Sequence, residues 1–181
     1  MSPLHRLRRA RRGIAALEFA LLAPVLIALS TGAIGLCLVI RARTDLTQAA
    51  QSMAQLIAAQ STVTSSQITD FCTGAGDEMA PFATSTLQLS VASVTNSNGT
   101  PATNWNDTSC GNGTAVAGAA SLAASTVPAS GDSTIVVQAS YVFHNPLALV
   151  LPATFDLTAI AYARPRNRDR SRRSKNATMT G

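Results

Sequence analysis

The chain has 181 residues, of which 46% are hydrophobic and 13% are charged, and its formal net charge at pH 7 is +5. Its basic residues lie at the two ends and at Arg41 and Arg43, so that residues 44–163 hold seven acidic side chains and no basic one. A segment with a formal charge of −7 does not attract a phosphate backbone, which argues against nucleic-acid binding by this part of the chain.

The N-terminal part of the chain has the pattern of a membrane anchor. Five arginines fall within residues 6–12, and the segment Phe19–Ile40 is uncharged. As a helix with a rise of about 1.5 Å per residue, this segment is about 33 Å long and can cross a bilayer. The arginine excess places the N-terminus in the cytoplasm and the remainder on the other side. A removed secretory signal is the alternative, but its apolar region is shorter and ends at a small-residue cleavage site.

Helical periodicity continues beyond the membrane. Apolar residues recur at intervals of three and four through Asp45–Gln60, which predicts a helix over residues 41–60. Its narrow apolar stripe has two candidate partners, the globular part of the same chain or a neighbouring chain. Within the membrane segment, Ala28, Gly32 and Gly35 are small enough to allow close helix contact.

Alternating apolar and polar residues predict three strands, at Thr86–Thr95, Ser133–His144 and Thr154–Ala163. The last two are expected to pair antiparallel across Asn145–Pro152, where two prolines indicate a turn. Residues 142–163 are apolar enough to suggest a second membrane span, but their histidine, asparagine, prolines and aspartate argue against it.

Two segments have no regular pattern. Residues 96–132 are rich in Asn, Ser, Gly, Thr and Ala, and we predict a long loop there. Residues 164–181 contain seven basic residues that repel one another, which predicts a disordered tail. The predicted fold is therefore α+β, with a long N-terminal transmembrane helix that continues into a small antiparallel β-rich domain over residues 61–163.

The cysteines and histidines favour a disulfide over a metal or catalytic site. Cys72 and Cys110 lie on the translocated side, where two thiols are expected to pair, two free thiols being the alternative. Cys37 lies in the apolar segment and reads as a packing residue. No metal-ligand spacing or nucleophile motif is present, and a Ser-His-Asp triad would depend on His144. We expect no enzyme, no metal, no cofactor and no small-molecule substrate.

The stretch that ends at Pro24 reads Gly-Ile-Ala-Ala-Leu-Glu-Phe-Ala-Leu-Leu-Ala-Pro. Counted from Ile14, Glu18 is the fifth residue, and Gly13 and the arginines precede it. This arrangement resembles the class III signal of type IV pilins and pseudopilins. The pair Glu18 and Phe19, together with Pro24, resembles more specifically the TadE/TadG-like family of the tight-adherence (Tad, or Flp) pilus.

This resemblance implies a pilin-like protein of the bacterial inner membrane with a periplasmic domain, whose partners are other Tad pilus subunits or pseudopilins. It also implies cleavage between Gly13 and Ile14 by a prepilin peptidase. Glu18 would then pair with the new amino terminus of an adjacent subunit, because a carboxylate near the hydrocarbon costs about 2–3 kcal/mol unless it is paired or protonated. The alternative is an uncleaved single-pass surface protein with an adhesive or ligand-binding ectodomain.

Overall fold

The structure, a computed structural model, describes residues 3–111 and 113–166, with side chains from Ala16 onward. Its elements in chain order are α1 (Pro3–Ala59), α2 (Ser65–Glu78), β1 (Gln88–Ser97), β2 (Thr100–Cys110), α3 (Ala119–Ala123), β3 (Ser133–His144) and β4 (Thr154–Ala163). The predicted α+β class, a long apolar N-terminal helix followed by a small antiparallel sheet, is confirmed. Most of the basic tail lies outside the described residues, so its disorder stays a prediction.

The chain divides into two compact units. One, the helical unit, consists of residues 3–39 and 144–155. The other, the sheet unit, consists of the described residues within 40–143 and 156–166. Helix α1 therefore contributes its first part to the helical unit and its last part to the sheet unit.

The last part of α1 is amphipathic and buries its apolar stripe inside the sheet unit. The buried residues of this stripe are Ala42, Leu46, Ala49, Ala50, Met53, Ala54, Ile57 and Ala58. They recur at the three- and four-residue spacing that puts side chains on one helix face. The helix ends at Ala59, next to the predicted end at Gln60. The stripe therefore packs against the globular part of the same chain, which is one of the two candidate partners that the sequence indicated.

A four-stranded sheet in the order β2-β1-β3-β4 forms the centre of the sheet unit. Strands β3 and β4 have the predicted bounds, whereas β1 begins and ends two residues later than predicted. Antiparallel pairing of β1 with β3 places Ala92 opposite Val136. These two residues join one apolar cluster with Val94 of β1, Ala119 of α3 and Val127. Because β1 is buried on both faces, it forms the core strand of the sheet.

The prediction of a loop over residues 96–132 is wrong, because β2 and α3 lie within it. Strand β2 pairs with β1 at the edge of the sheet and leaves most of its side chains exposed. Its polar sequence therefore lacks the alternating apolar pattern that predicts a strand. The two strands meet at Asn98 and Gly99, which have φ angles of 55° and 87°. An Asn-Gly pair with both φ angles positive is typical of a tight β-hairpin turn. The Asn98-Gly99 dipeptide in the sequence would therefore have predicted this hairpin.

Helix α2 was not assigned from the sequence, although its N-terminus has a recognisable signature. Thr64 and Gln67 form a capping box, in which the Gln67 amide N–H donates to Thr64 Oγ1 at 3.4 Å and the Thr64 amide N–H donates to Gln67 Oε1 at 3.1 Å. Two reciprocal bonds of this kind satisfy amide groups that the first helical turn leaves free. The Thr-x-x-Gln spacing would have predicted the helix start.

Candidate functional site

The apolar segment of α1 presents an extended hydrophobic surface. In the described residues, the stretch Ala16–Ala59 is the one helix long and apolar enough to cross a membrane. Its exposed large apolar side chains up to Ile40 are Leu17, Phe19, Leu21, Leu22, Val25, Leu26, Ile27, Leu29, Ile34, Leu36 and Ile40. A surface of this extent marks a site that contacts lipid or another protein.

Glu18 is the only charged residue between Gly13 and Ile40. Its side chain is exposed on α1, and no side chain that the structure describes forms a hydrogen bond or ion pair with it. Phe19 beside it is 69% exposed. A carboxylate in an apolar surface is costly without a counter-charge.

The remaining predicted residues of this region lie in the same helix. Gly13 and Ile14 belong to α1 by their backbone, and their side chains are outside the described ones. Pro24 lies inside the helix and is exposed. Since proline has no amide hydrogen, the carbonyl of Ala20 loses its usual helical donor, which weakens the helix there. The structure therefore places all predicted cleavage and assembly residues along one continuous helix.

The Thr31 hydroxyl, within the apolar segment, is satisfied by the helix itself. The hydroxyl of Thr31 donates to the carbonyl of Ile27 at 2.9 Å and lies 3.1 Å from the carbonyl of Ala28. Such internal bonding suits a medium without water. Charges resume at Arg41, whose Nε lies 3.7 Å from Asp45 Oδ2. The pair marks the end of the apolar segment.

Within the helical unit, the segment Asn145–Ala153, here the β3–β4 loop, packs against α1. A Cβ atom added to Gly35 would lie 3.1 Å from Leu151 Cδ1 and 3.4 Å from the side-chain amide of Asn145. A Cβ atom added to Gly32 would lie 3.9 Å from Val150 Cβ. Gly32 and Gly35, two of the small residues that the sequence suggested for helix–helix contact, thus admit a loop of the same chain. No sequence pattern predicted this contact.

In the sheet unit, Cys72 and Cys110 form a disulfide between α2 and β2, with their Cα atoms 5.9 Å apart. A hydrogen bond of 2.9 Å from Ser65 Oγ to Asp107 Oδ2 joins the same two elements. A cavity of about 380 Å³ lies beside the disulfide, and Asp77 is its one titratable lining residue. This lining provides no pair of groups for acid–base catalysis.

Histidine and metal-binding side chains are the remaining candidates for a catalytic centre in the described part of the chain. His144, at the end of β3, is exposed, and its side chain forms no hydrogen bond with the described residues. No group of three or more His, Cys, Asp or Glu side chains that could hold a metal ion is found in residues 3–111 and 113–166. The described residues therefore form neither a histidine-based nor a metal-based catalytic centre.

Residues 13–55 match the family model described as TadE-like protein. This stretch, here the TadE-like segment, is similar to that family. The match confirms the resemblance to the TadE/TadG-like family over about a quarter of the chain. No curated protein and no solved structure matches the chain.

The TadE-like segment begins at Gly13 and ends at Gln55, inside the buried stripe of α1. It therefore contains the predicted cleavage residues, Glu18, Pro24 and the whole apolar surface. The sheet, the disulfide and the β3–β4 loop lie outside it. The family match thus concerns the helix, and the apolar helix is compatible with single-pass anchoring in a membrane.

Proposed function

We propose that this protein is a minor pseudopilin or assembly component of a Tad-type pilus. In this proposal α1 anchors it in the bacterial inner membrane with its N-terminus in the cytoplasm and its sheet unit in the periplasm. The observation that carries the proposal is the TadE-like match, which begins at Gly13 and covers the exposed apolar surface up to Ile40, where Glu18 is the one carboxylate.

Processing of the N-terminus provides a charged partner for Glu18. Cleavage between Gly13 and Ile14 by a prepilin peptidase creates a positively charged amino terminus four residues before Glu18. In an assembly, the amino terminus of one subunit pairs with Glu18 of its neighbour. In an apolar environment both charges are costly alone, so the pair favours one axial register between neighbouring helices.

The apolar surface of α1 serves two environments in this proposal. In the membrane, side chains such as Phe19, Leu22 and Leu26 contact lipid; in an assembly, the same side chains contact neighbouring helices of other Tad subunits or pseudopilins. Since lipid and helix surfaces are similarly apolar, the transfer between them depends on packing and on the Glu18 pair rather than on hydrophobicity. The role proposed is structural rather than enzymatic.

The test is the N-terminal sequence and the intact mass of the full chain recovered from membranes of a bacterium that has a Tad prepilin peptidase. We expect a chain that starts at Ile14. The substitution Gly13→Arg should abolish this product, because the small residue before the cut is lost. Gly74→Arg is the matched control, since a Cβ atom on Gly74 in α2 meets nothing within 4 Å, and processing should be unchanged.

The other outcomes separate the parts of the proposal. A membrane-bound chain that retains Arg6 and Arg12 would overturn the processing step and favour the uncleaved surface protein with an adhesive or ligand-binding ectodomain. Recovery of the chain from the soluble fraction would overturn the membrane anchor itself. Correct processing without recovery of any Tad subunit would contradict the assembly role.

A further inference from the structure

The β3–β4 loop is apolar and exposed at its tip. Residues 145–153 read Asn-Pro-Leu-Ala-Leu-Val-Leu-Pro-Ala and contain no charged side chain. Leu149 is 72% exposed and Val150 is 55% exposed. Transfer of two adjacent large apolar side chains from water to an apolar environment is favourable.

The loop meets α1 at a defined level of the apolar segment. Val150 lies over Gly32, and Leu151 lies over Gly35. Counted along the helix at about 1.5 Å per residue, Gly35 and Gly32 lie about 9 and 14 Å before Arg41. One leaflet contributes about 15 Å of hydrocarbon to a typical bilayer. If Arg41 marks the surface of the membrane, both contacts fall within the leaflet at that end of the segment.

Part of the loop is hydrogen-bonded within the loop itself. The amide of Asn145 donates to the carbonyl of Ala153 at 2.7 Å, and its side-chain Nδ2 donates to the carbonyl of Pro152 at 3.3 Å. Asn145 Oδ1 accepts from the Leu147 amide at 3.1 Å, and the Leu149 amide donates to the Leu147 carbonyl at 2.8 Å. Non-helical backbone enters a membrane only where its polar groups find such partners or are shielded by protein, and α1 covers one side of this loop.

We propose that the tip of the β3–β4 loop, Leu149 and Val150, inserts between lipid acyl chains beside α1, in the leaflet at the Arg41 end of the helix. The inference rests on the proposed membrane anchoring by α1. Lipid hydrocarbon is the occupant because the loop continues the apolar surface of the segment at a depth within one leaflet. The loop is then a second membrane contact of the same chain.

Tryptophan fluorescence in vesicles tests this insertion in the full-length protein. Trp105 in β2 is the only tryptophan, so the unsubstituted protein reports the sheet unit. Trp105→Phe combined with Leu149→Trp reports the loop, and Trp105→Phe combined with Leu26→Trp reports the anchor. In phosphatidylcholine vesicles with brominated acyl chains, we expect a loss of emission at positions 149 and 26 and little loss at Trp105.

The pattern of quenching separates this inference from the anchor. Quenching at position 26 without quenching at position 149 would overturn loop insertion and leave the anchor intact. Absence of quenching at both positions would refute the anchor, and loop insertion with it. If the tryptophan variants do not fold, Leu149→Cys with Cys37→Ser, labelled with a polarity-sensitive dye, gives a second readout: a blue shift on vesicle binding supports insertion, and an unchanged spectrum contradicts it.

A second copy of the chain is the competing occupant. Cysteine at position 149 would then form a disulfide between two chains on oxidation, and the tip would be shielded from bromine. Efficient cross-linking without quenching would therefore overturn the lipid assignment in favour of that copy.

Discussion

Val150 lies directly over Gly32 of α1, its Cβ atom 3.9 Å from the place where a Cβ atom on Gly32 would be. This separation falls in the range of about 3.5–4.5 Å that a disulfide requires between Cβ atoms. Gly32→Cys with Val150→Cys, in a Cys37→Ser background, should therefore cross-link within one chain upon mild oxidation. Mass spectrometry of peptides checks the bond.

Ile34 supplies the matched control for this cross-link. It lies two residues further along α1 on an exposed part of the helix surface, where its side chain is 52% exposed. Ile34→Cys with Val150→Cys should remain unlinked under the same conditions. Equal cross-linking of both pairs would mean that the β3–β4 loop does not pack at one defined position on α1.

The Glu18→Gln substitution tests the proposed assembly role, because it keeps the size of the side chain and removes its charge. We expect unchanged membrane retention and a roughly tenfold or greater loss of co-purified Tad subunits, since an amino terminus left without its counter-charge in an apolar site costs several kcal/mol. Glu78→Gln, the same change at an exposed position of α2, is the control. Equal recovery of Tad subunits with the unsubstituted protein, Glu18→Gln and Glu78→Gln would contradict an intermolecular role for Glu18.

Removal of the disulfide should destabilise the sheet unit. The bond between Cys72 and Cys110 closes a segment with a sequence separation of 38, and loops of this length contribute about 2–4 kcal/mol through the unfolded chain. Cys72→Ser with Cys110→Ser should lower the free energy of unfolding by that amount in a denaturant titration. Cys37→Ser, which removes a free cysteine, should leave it unchanged.

The capping box of α2 gives a smaller, local prediction. Thr64→Ala removes the side chain that accepts from the Gln67 amide, and loss of a helix N-cap of this type costs about 1 kcal/mol. Thr73→Ala makes the same chemical change inside α2, where alanine is the better helix former, and should be neutral or slightly stabilising. Thermal unfolding of the two variants compares them, and a larger loss for Thr73→Ala would refute the cap's contribution.

Gly111 is required by its conformation and by its surroundings. Its φ angle is +67°, and a Cβ atom there would collide with the Leu87 carbonyl oxygen. Gly111→Ala should therefore destabilise the protein by at least about 1–2 kcal/mol, the cost of the left-handed conformation alone. Gly74→Ala, at an open position in helix α2, should stabilise it by about 0.5–1 kcal/mol. Denaturant midpoints of the two variants should shift in opposite directions.

Local pattern was a reliable guide where one face of an element is buried. Strand β4 buries Leu157, Ala159 and Ala161 and exposes the residues between them, so its bounds were predictable. Strand β2 failed this test, because it pairs only at the sheet edge and exposes most of its side chains. Short-range signals for the missed elements existed in the Asn98-Gly99 turn and the Thr64 cap, but neither produces an apolar pattern.

The sequence by itself determined the segregation of charge, the apolar helix and the position of Glu18 within it, because each depends on contiguous residues and on the length of a helix relative to a bilayer. Only the tertiary structure decided that β1 lies between β2 and β3, and that Gly32 and Gly35 receive the β3–β4 loop. The physical reason is that these contacts join residues far apart in the chain, and their pairing depends on shape and backbone register, which no local pattern encodes.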